Sequence, residues 1–445
     1  MSEPRPRAAI WNRFQQLPAS TLLAVSGVVL FVAMLGVSAA LAPSIGSTPS
    51  EGYQERTLVG SQGGGPGWHQ YGSVYLLNGS SVVWREDAAE SYFDVTRTEN
   101  GTVLAGFMDG GYEACGPYES PCVRTGFQVI DSDSGEVRPG YSFPVRTRTN
   151  SEVHDVEQLQ SGEYLLTDME YERIFTVKDG EVTWQWNASS FYDAPADPTR
   201  TDWLHINDVD VIDNGRYLVS VRNANQLLIV ERGDGVVEVI NEDRSNRNDD
   251  NCRQSGQLRD TDSDGDIRCG DPAVLNHQHN PQWLGEEAVL VADSDNDRVV
   301  ELHKQDGEWQ PSWTLTRTGG IALDWPRDAD RLPNGNTLIT DTLNRRIVEV
   351  NENGTVVWSY QTKRIPYEAD RLPVGETVGG PQSDTSSVDD PGSEGSIPGL
   401  SILLVGLRAL YPGLPFWFGE IQLLGTFISI GLTLSGGALH VRQRR

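Results

Sequence analysis

Between residues 69 and 376 apolar and polar positions alternate in short runs, punctuated by Asn-Gly, Asp-Gly and related turn pairs. A period of two marks half-buried strands, and turn pairs of this kind close tight hairpins. One pattern returns six times: an acidic or amide residue, an apolar position about four residues on, a glycine about three further, then a β-rich run. The copies are FDVTRTENGTVLAG, HDVEQLQSGEYLLTD, NDVDVIDNGRYLVSV, HNPQWLGEEAVLVAD, RDADRLPNGNTLITD and YEADRLPVGETVGG, aligned on Asp94, Asp155, Asp208, Asn280, Asp328 and Glu368. Most are followed by a second hairpin rich in glycine and tryptophan, such as IFTVKDGEVTWQW (174–186) and IVEVNENGTVVWSY (347–360). Two hairpins make a four-stranded blade, so the repeat predicts an all-β fold, a six-bladed β-propeller over 69–376. The outer-type hairpin VYLLNGSSVVW (74–84) precedes the first inner one, and the last inner hairpin (367–377) lacks an outer partner; joining the two is expected to close the ring.

Two stretches break the alternation. Residues 20–42 are uncharged and rich in Leu, Val and Ala, and 421–441 form a second apolar run; each is long enough to cross a bilayer as a helix. Arg5, Arg7 and Arg13 precede the first run, and Arg442, Arg444 and Arg445 follow the second. This charge bias predicts cytoplasmic termini (1–19 and 442–445) and a two-pass cell-membrane protein with its propeller on the extracellular face. Ala40-Leu41-Ala42 has the form of a signal-peptide cleavage site, but Pro43 hinders cleavage and the run is long for a signal, which favours an anchor. Residues 43–68 are expected to be a linker and 377–396 a second, Gly/Pro/Ser-rich one. The segment 397–418, with Arg408 and the cluster Pro415-Phe416-Trp417-Phe418, is expected to lie at the outer interface.

Charge narrows the setting. The 63 acidic against 35 basic side chains give a net charge of −28, and only Lys178, Lys304 and Lys363 are lysines. Such an acid excess keeps a protein hydrated in concentrated salt, a halophilic signature, and argues against nucleic acid as a partner. The four cysteines form two close pairs, Cys115 with Cys122 and Cys252 with Cys269, which predicts two local disulfides and an oxidising compartment. Sequons begin at Asn78, Asn100, Asn187 and Asn353; outside the cell these are glycosylation acceptors, although Asn-Gly at three of them is also turn chemistry. Within the second cysteine pair and just beyond it, Asp260, Asp262, Asp264, Gly265, Asp266, Ile267 and Asp271 follow the D-x-D-x-D-G-x-I-x-x-x-D spacing of an EF-hand-like loop. Alternating hard oxygens with glycine at the sharp turn suit a structural Ca²⁺, which would order this loop beside the blade of His279.

The repeat also fixes a register. The first strand of each blade lines the central channel, so the residue before the repeat acid is expected at its mouth: Phe93, His154, Asn207, His279, Arg327 and Tyr367. Two residues upstream stand His205 and His277, with Trp325 in the fifth copy, and Arg222 returns to the same rim at the end of its blade's second strand. Four of the seven histidines thus gather at one place, beside two arginines, in an otherwise acidic body. Imidazoles so placed either bind a transition metal, with Glu152 close by in sequence, or supply a nucleophile while cationic neighbours neutralise an anionic group in transfer. The arginines favour an anion.

The strings HDVEQL, WLHINDVDV…LVSVRNANQ and QHNPQWL, in that order on propeller blades, resemble the arylsulfate sulfotransferase family over roughly 90 to 375. The resemblance implies a sulfuryl group carried transiently on a histidine, from a phenolic sulfate ester to a phenol, with no nucleotide donor and no catalytic cofactor. His279 would be the nucleophile, while His154, His205, Asn207 and Arg222 would hold the sulfuryl oxygens or handle the phenolic proton. Phe93, His277, Trp325, Arg327 and Tyr367 would complete the substrate pocket. Asn280 stands where the family has Asp, and only about 30 residues separate the anchor from the first blade. The rival reading is a non-catalytic, NHL-like sensor or binding propeller that RDADRLPNGNTLITDTLNRRIVEV resembles; a quinone-cofactor dehydrogenase would need eight blades. The calcium loop has its own test: chelation should lower the thermal midpoint, and Asp260→Ala with Asp264→Ala should abolish that sensitivity, whereas a midpoint indifferent to chelators at every salt concentration would leave the loop merely solvated acid.

Overall fold

The computed structural model describes residues 17–45, 55–65, 68–98, 100–243, 245–255, 258–260, 263, 265–375, 377–383, 399–411 and 413–444. They fall into two compact units, a helical one and a larger β one.

The β unit is a six-bladed propeller of four-stranded antiparallel sheets. Blade 1 begins at Ser91–Tyr92, blade 2 at Val156–Gln158, blade 3 at Ile206–Asp213, blade 4 at His279–Gly285 and blade 5 at Pro326–Arg331, each of these being the innermost strand. Blade 6 is assembled from both ends of the domain: Ile365–Leu372 is innermost and pairs with Arg56–Gly63, which leads outward to Ser73–Asn78 and Ser81–Glu86. Here the structure corrects two expectations. The last inner hairpin is a single strand, and its partner is Arg56–Gly63, drawn from the stretch assigned to a linker. RTLVGSQG carries neither the repeat acid nor a turn pair, so nothing local marked it as a strand. Residues 377–383, expected to open the second linker, instead dock on blade 4: Gly379 N donates to Trp283 O at 2.6 Å and Ser383 N to Glu301 Oε1 at 2.9 Å.

The repeat acid has a structural task in four of the six blades. Its carboxylate accepts the backbone N–H one position beyond the repeat acid of the next blade: Asp94 from Val156 (3.1 Å), Asp155 from Val209 (2.6 Å), Asp328 from Ala369 (2.9 Å) and Glu368 from Val95 (3.1 Å). Two residues along, a second ring repeats the device, with Asp210 accepting from Trp283 N (2.8 Å), Gln282 from Arg331 N (2.6 Å) and Asp370 from Arg97 N (3.4 Å). These bonds satisfy inner-strand N–H groups that face the channel and have no strand to pair with. The first ring breaks where Asp208 would meet Pro281, which has no N–H, and Asp208 Oδ2 is left without a partner.

In the helical unit, helix α1 (Ala19–Leu41) and helix α4 (Glu420–Arg444) are long and apolar enough to cross a membrane. They pack antiparallel, with Ser20 Oγ donating to Gln443 at one end and Gln422 donating to Ser38 at the other, both at 3.0 Å. A Cβ on Gly27 or Gly436 would come within 2.6 Å of the facing backbone, so glycine permits this approach. Helix α2 (Asp249–Ser255) belongs to the propeller insertion, and helix α3 (Leu400–Leu410), at 11 residues, is too short to span. Arg408 donates to the carbonyls of Phe416 and Phe418. Both disulfides form, Cys115–Cys122 and Cys252–Cys269. Asn78, Asn100 and Asn353 are exposed and Asn187 is half-buried.

The buried acid rings set a pH dependence. Burial pushes Asp94, Asp210 and Asp328 up to about 7, and raises Asp155, Asp208 and Glu368 as well. Their unfolded values lie near 4, so above that pH the folded state holds more protons than the unfolded one, and stability falls as pH rises toward and through the folded values. His154 and His279 act oppositely, being depressed in the fold, but their contribution is lost only as pH drops below their unfolded value of ~6.5. Between pH 6.5 and 8 the carboxyls therefore decide the slope, and the thermal midpoint should fall by roughly 5 °C or more. Burial raises Asp330 in the same column too, so Asp210→Asn with Asp330→Asn should flatten the fall; a wild-type midpoint that rises over this window contradicts the account.

Candidate active site

The six residues of the mouth register converge over the channel. Phe93 lies edge-on to His154 (ring centroids 4.9 Å apart) and to Tyr367 (5.5 Å), and Tyr367 stacks on His154 (5.4 Å) and stands edge-on to His279 (6.1 Å). Arg327 places its guanidinium 4.9 Å from the Tyr367 ring and 4.4 Å from Trp325. Asn207 Nδ2 donates to Gln278 O at 2.9 Å, while its Oδ1 is buried and unpartnered. The inner strands of blades 3, 4 and 5 are bulged here, their pairing register slipping between Ile206 and Asp208, His279 and Gln282, and Pro326 and Asp328. A bulge re-aims a side chain out of the sheet's alternation, and these three lie at Asn207, beside His279 and at Arg327.

A second layer is held by the neighbouring blade. His205, His277 and Trp325 adopt left-handed backbone conformations, with φ of 56°, 49° and 54°. In each case the backbone N–H donates to a side chain of the preceding blade: Glu172 (2.8 Å), Asn225 (3.0 Å) and Asp297 (2.8 Å). His205 stacks on His154 at 5.3 Å and bonds through Nδ1 to Asp202 at 2.7 Å; His277 bonds through Nδ1 to Asp295, also at 2.7 Å. Arg222 lies in the short turn Arg222–Ala224, braced by the Cys252–Cys269 insertion through Gly270 N donating to Ala224 O at 2.7 Å. Its charge helps depress His277 and His279.

His279 is prepared in one tautomer. Ser294 Oγ donates to Pro326 O at 2.6 Å, so it meets the ring as an acceptor, 2.8 Å from His279 Nδ1. The His277 carbonyl, 3.1 Å from the same nitrogen, is an acceptor as well. Nδ1 therefore carries the proton, and Nε2 presents a bare lone pair. Burial, then the Arg327 and Arg222 charges, hold His279 well below the usual imidazole range; burial depresses His154 to about 3. Both rings are neutral at physiological pH. Arg327 is 6% exposed, is drawn down to about 10 by burial, and makes no ion pair among the described residues. A buried guanidinium without a counter-ion is costly, and the deficit suits a bound anion.

Three participants escaped the sequence reading. His69 bonds Glu152 at 2.9 Å through Nε2 and Ser91 at 3.0 Å through Nδ1, which engages Glu152 and removes it as a metal ligand. Although burial raises Glu152, His69 and the other histidines bring it down to about 2. Trp68 lies edge-on to Trp325 at 5.4 Å. Both residues follow the unrecognised closing strand Arg56–Gly63. Ser294 did carry a signal, because it occupies in blade 4 the end-of-second-strand position that Arg222 occupies in blade 3. Among the described residues no group of His, Cys, Asp and Glu is arranged to hold a metal ion. Of the calcium loop, Asp262 and Asp264 lie outside the described residues; Asp260 accepts from Ser263 N (2.7 Å) and Gly265 N (3.1 Å), and Asp271 from Ala273 N (2.9 Å).

No family model and no curated protein matches the chain. Its fold is similar to that of a Bacteroides caccae protein of unknown function (15% identity, 72% of this chain and 99% of that one, TM-score 0.47). It is also similar to the Pseudomonas aeruginosa periplasmic gluconolactonase PpgL (12%, 72% and 99%, 0.41) and to Staphylococcus aureus virginiamycin B lyase (11%, 60% and 69%, 0.34). Likenesses this distant carry no functional argument, and the chemistry has to come from the site's own residues. The tautomer is directly measurable: ¹⁵N spectra of histidine-labelled protein should show His279 neutral and protonated at Nδ1 from pH 8 down to pH 5. Ser294→Ala should shift it toward a tautomer mixture, and a wild-type Nε2–H signal would refute the assignment.

Proposed function

We propose that the protein is a membrane-anchored sulfotransferase of the arylsulfate type, moving a sulfuryl group from an aryl sulfate to a phenol through His279. The observation that carries this reading is the buried Arg327, which makes no ion pair among the described residues, beside a neutral His279 whose Nε2 lone pair is free. An aryl sulfate brings the missing negative charge, and its ring suits walls built of Phe93, Tyr367 and Trp325.

In the first half-reaction His279 Nε2 attacks sulfur, the N–S bond forms and the S–O bond to the aryl group breaks. The departing oxygen takes a proton from His205, whose Nδ1 is held by Asp202. Charge spreads over three sulfuryl oxygens in the transition state, where Arg327, Arg222, Asn207 and His154 offer donors already in place. In the second half-reaction an acceptor phenol returns its proton to His205, its oxygen attacks sulfur, and the S–N bond breaks with the electron pair returning to Nε2. Proton and charge balance over the cycle, and no nucleotide enters.

We also propose a two-pass topology with both termini in the cytoplasm and the propeller outside the cell. The antiparallel pairing of α1 with α4, the terminal arginines and the two disulfides support it. A structural Ca²⁺ in the Asp260–Asp271 loop belongs to the same proposal.

With an aryl sulfate that releases a coloured phenol, His279→Ala should abolish both phenol release and sulfation of an acceptor while the fold persists. Arg327→Met and Arg222→Met should each slow transfer by ~10²–10³, the usual effect of losing one donor to a developing anion. Donor alone should leave an acid-labile sulfuryl adduct on His279 in peptide maps. Wild-type turnover in His279→Ala would end this reading; aryl sulfate binding without turnover in any variant would make the protein an anion-binding propeller instead.

A further inference from the structure

The strand that closes the ring does not stop at closure. Arg56–Gly63 runs up to the rim carrying Gln62, and the described part of the glycine-rich stretch GGGPGWHQYG (63–72) that continues it delivers Trp68 and His69 to the mouth of the channel. The turn is tightly folded: Gln70 N donates to Gly64 O at 2.9 Å and Trp68 N to Gly65 O at 3.1 Å. Glycine is required where it is tightest, since a Cβ on Gly63, at φ +97°, would come within 2.1 Å of Gln70 O. Trp68 itself sits at φ +67°, a conformation that bulky L residues rarely adopt. It is pinned from both sides, by Gln62 Oε1 accepting from the Arg327 guanidinium and by buried His69 bonded to Glu152 and Ser91. A bulky residue held in a rare conformation by two buried anchors has a fixed position, and that position is the rim.

The Trp68 ring meets the edge of Trp325 at 5.4 Å, with an interplanar angle of 65°. The Arg327 guanidinium lies 5.5 Å from the Trp68 ring. Trp325 in turn stands 6.0 Å from His279, and its indole N–H is committed to Asp295 at 2.8 Å. Trp68 is only half-buried, and its indole N–H makes no hydrogen bond among the described residues. From His279 outward the site therefore runs from nucleophile, to anion-holding guanidinium, to a corner made of two indole rings.

We infer that Trp68 is the specificity-determining residue for the aromatic ring of the donor: it forms, with Trp325, the wall against which the ring rests once the sulfate is seated on Arg327. This rests on the sulfuryl-transfer reading of the site and narrows its substrate class to sulfate esters of planar aryl alcohols. Trp68 acts on binding of the ring and not on the bond-making step, so its removal raises KM and leaves kcat nearly untouched. It does not act on the sulfate itself, so inorganic sulfate, which has no ring, is insensitive to it.

The test uses the full-length chain in detergent micelles, with Trp68→Ala and Trp68→Phe checked for an unchanged circular-dichroism spectrum. Binding of 4-nitrophenyl sulfate and of inorganic sulfate is measured by calorimetry, alongside turnover of the aryl ester. Trp68→Ala should weaken aryl ester binding and raise KM roughly 10- to 100-fold, the scale of losing one aromatic wall. Its kcat should stay within about three-fold, inorganic sulfate should bind as to the wild type, and Trp68→Phe should recover most of the loss, as expected where one aromatic face replaces another. Equal weakening of both ligands would make Trp68 a support for Arg327 and overturn the inference, as would no change in either. If the wild type binds the aryl ester through Trp68 but does not turn it over, the transferase reading fails while the role of Trp68 stands; turnover that ignores Trp68 removes the inference alone.

Discussion

In four of the six repeats the acid at the head reaches sideways and accepts a backbone N–H from the innermost strand of the next blade. A propeller's innermost strands have no neighbour on the channel side, so N–H groups pointing there must find side-chain acceptors or remain unsatisfied in a buried space. Asp94, Asp155, Asp328 and Glu368 in one ring, and Asp210, Gln282 and Asp370 in the next, meet that demand and tie blade to blade around the circle. The cost is a column of buried carboxyls, which burial and mutual repulsion drive toward the protonated form. A protonated carboxyl keeps an acceptor oxygen, so the ties persist while the charge is given up.

The first ring fails at two adjacent steps, at Asp208 and at Asn280, whose Oδ1 is also without a partner, and both failures lie at the site. Pro281 follows Asn280 in the strand of His279, and with no N–H to offer it leaves Asp208 untied. Asn280 reaches across the channel instead, donating to Glu368 at 2.9 Å. The strand bulges here, as those of blades 3 and 5 do, and the bulge presents His279 beside Tyr367, Trp325 and the Arg327 charge.

Pre-organisation runs through the whole rim. The left-handed residues His205, His277 and Trp325 are each fixed by a side chain of the blade before, so none of the three depends on its own blade alone. Ser294 sets the tautomer of His279 only because Pro326, on blade 5, consumes the serine proton. Donors fixed in this manner need no reorganisation when charge develops, which is where a buried polar site gains over water. It also means that anything loosening the ring reaches the chemistry, because the closing strand carries Gln62 onto Arg327 and His69 onto Glu152.

The sequence by itself determined whatever repeats or acts over short range. Period-two alternation and the returning acid defined six blades and their register, and the register named Phe93, His154, Asn207, His279, Arg327 and Tyr367 as neighbours before any were placed. Close spacing paired Cys115 with Cys122 and Cys252 with Cys269, and uninterrupted apolar runs marked both long helices. Only the tertiary structure decided the rest. Arg56–Gly63 has no acid and no turn signal, and it becomes a strand because Ile365–Leu372, some 300 residues away, offers it an unpaired edge. Trp68 and His69 follow that strand to the rim, and so remained invisible with it. The tautomer of His279 and the surroundings of Arg327 likewise depend on which groups from other blades face them. Local pattern fixes a strand's period and facing, but a strand lacking the repeat is selected by the edge it fills, and a hydrogen bond between blades leaves no trace in the spacing of either partner.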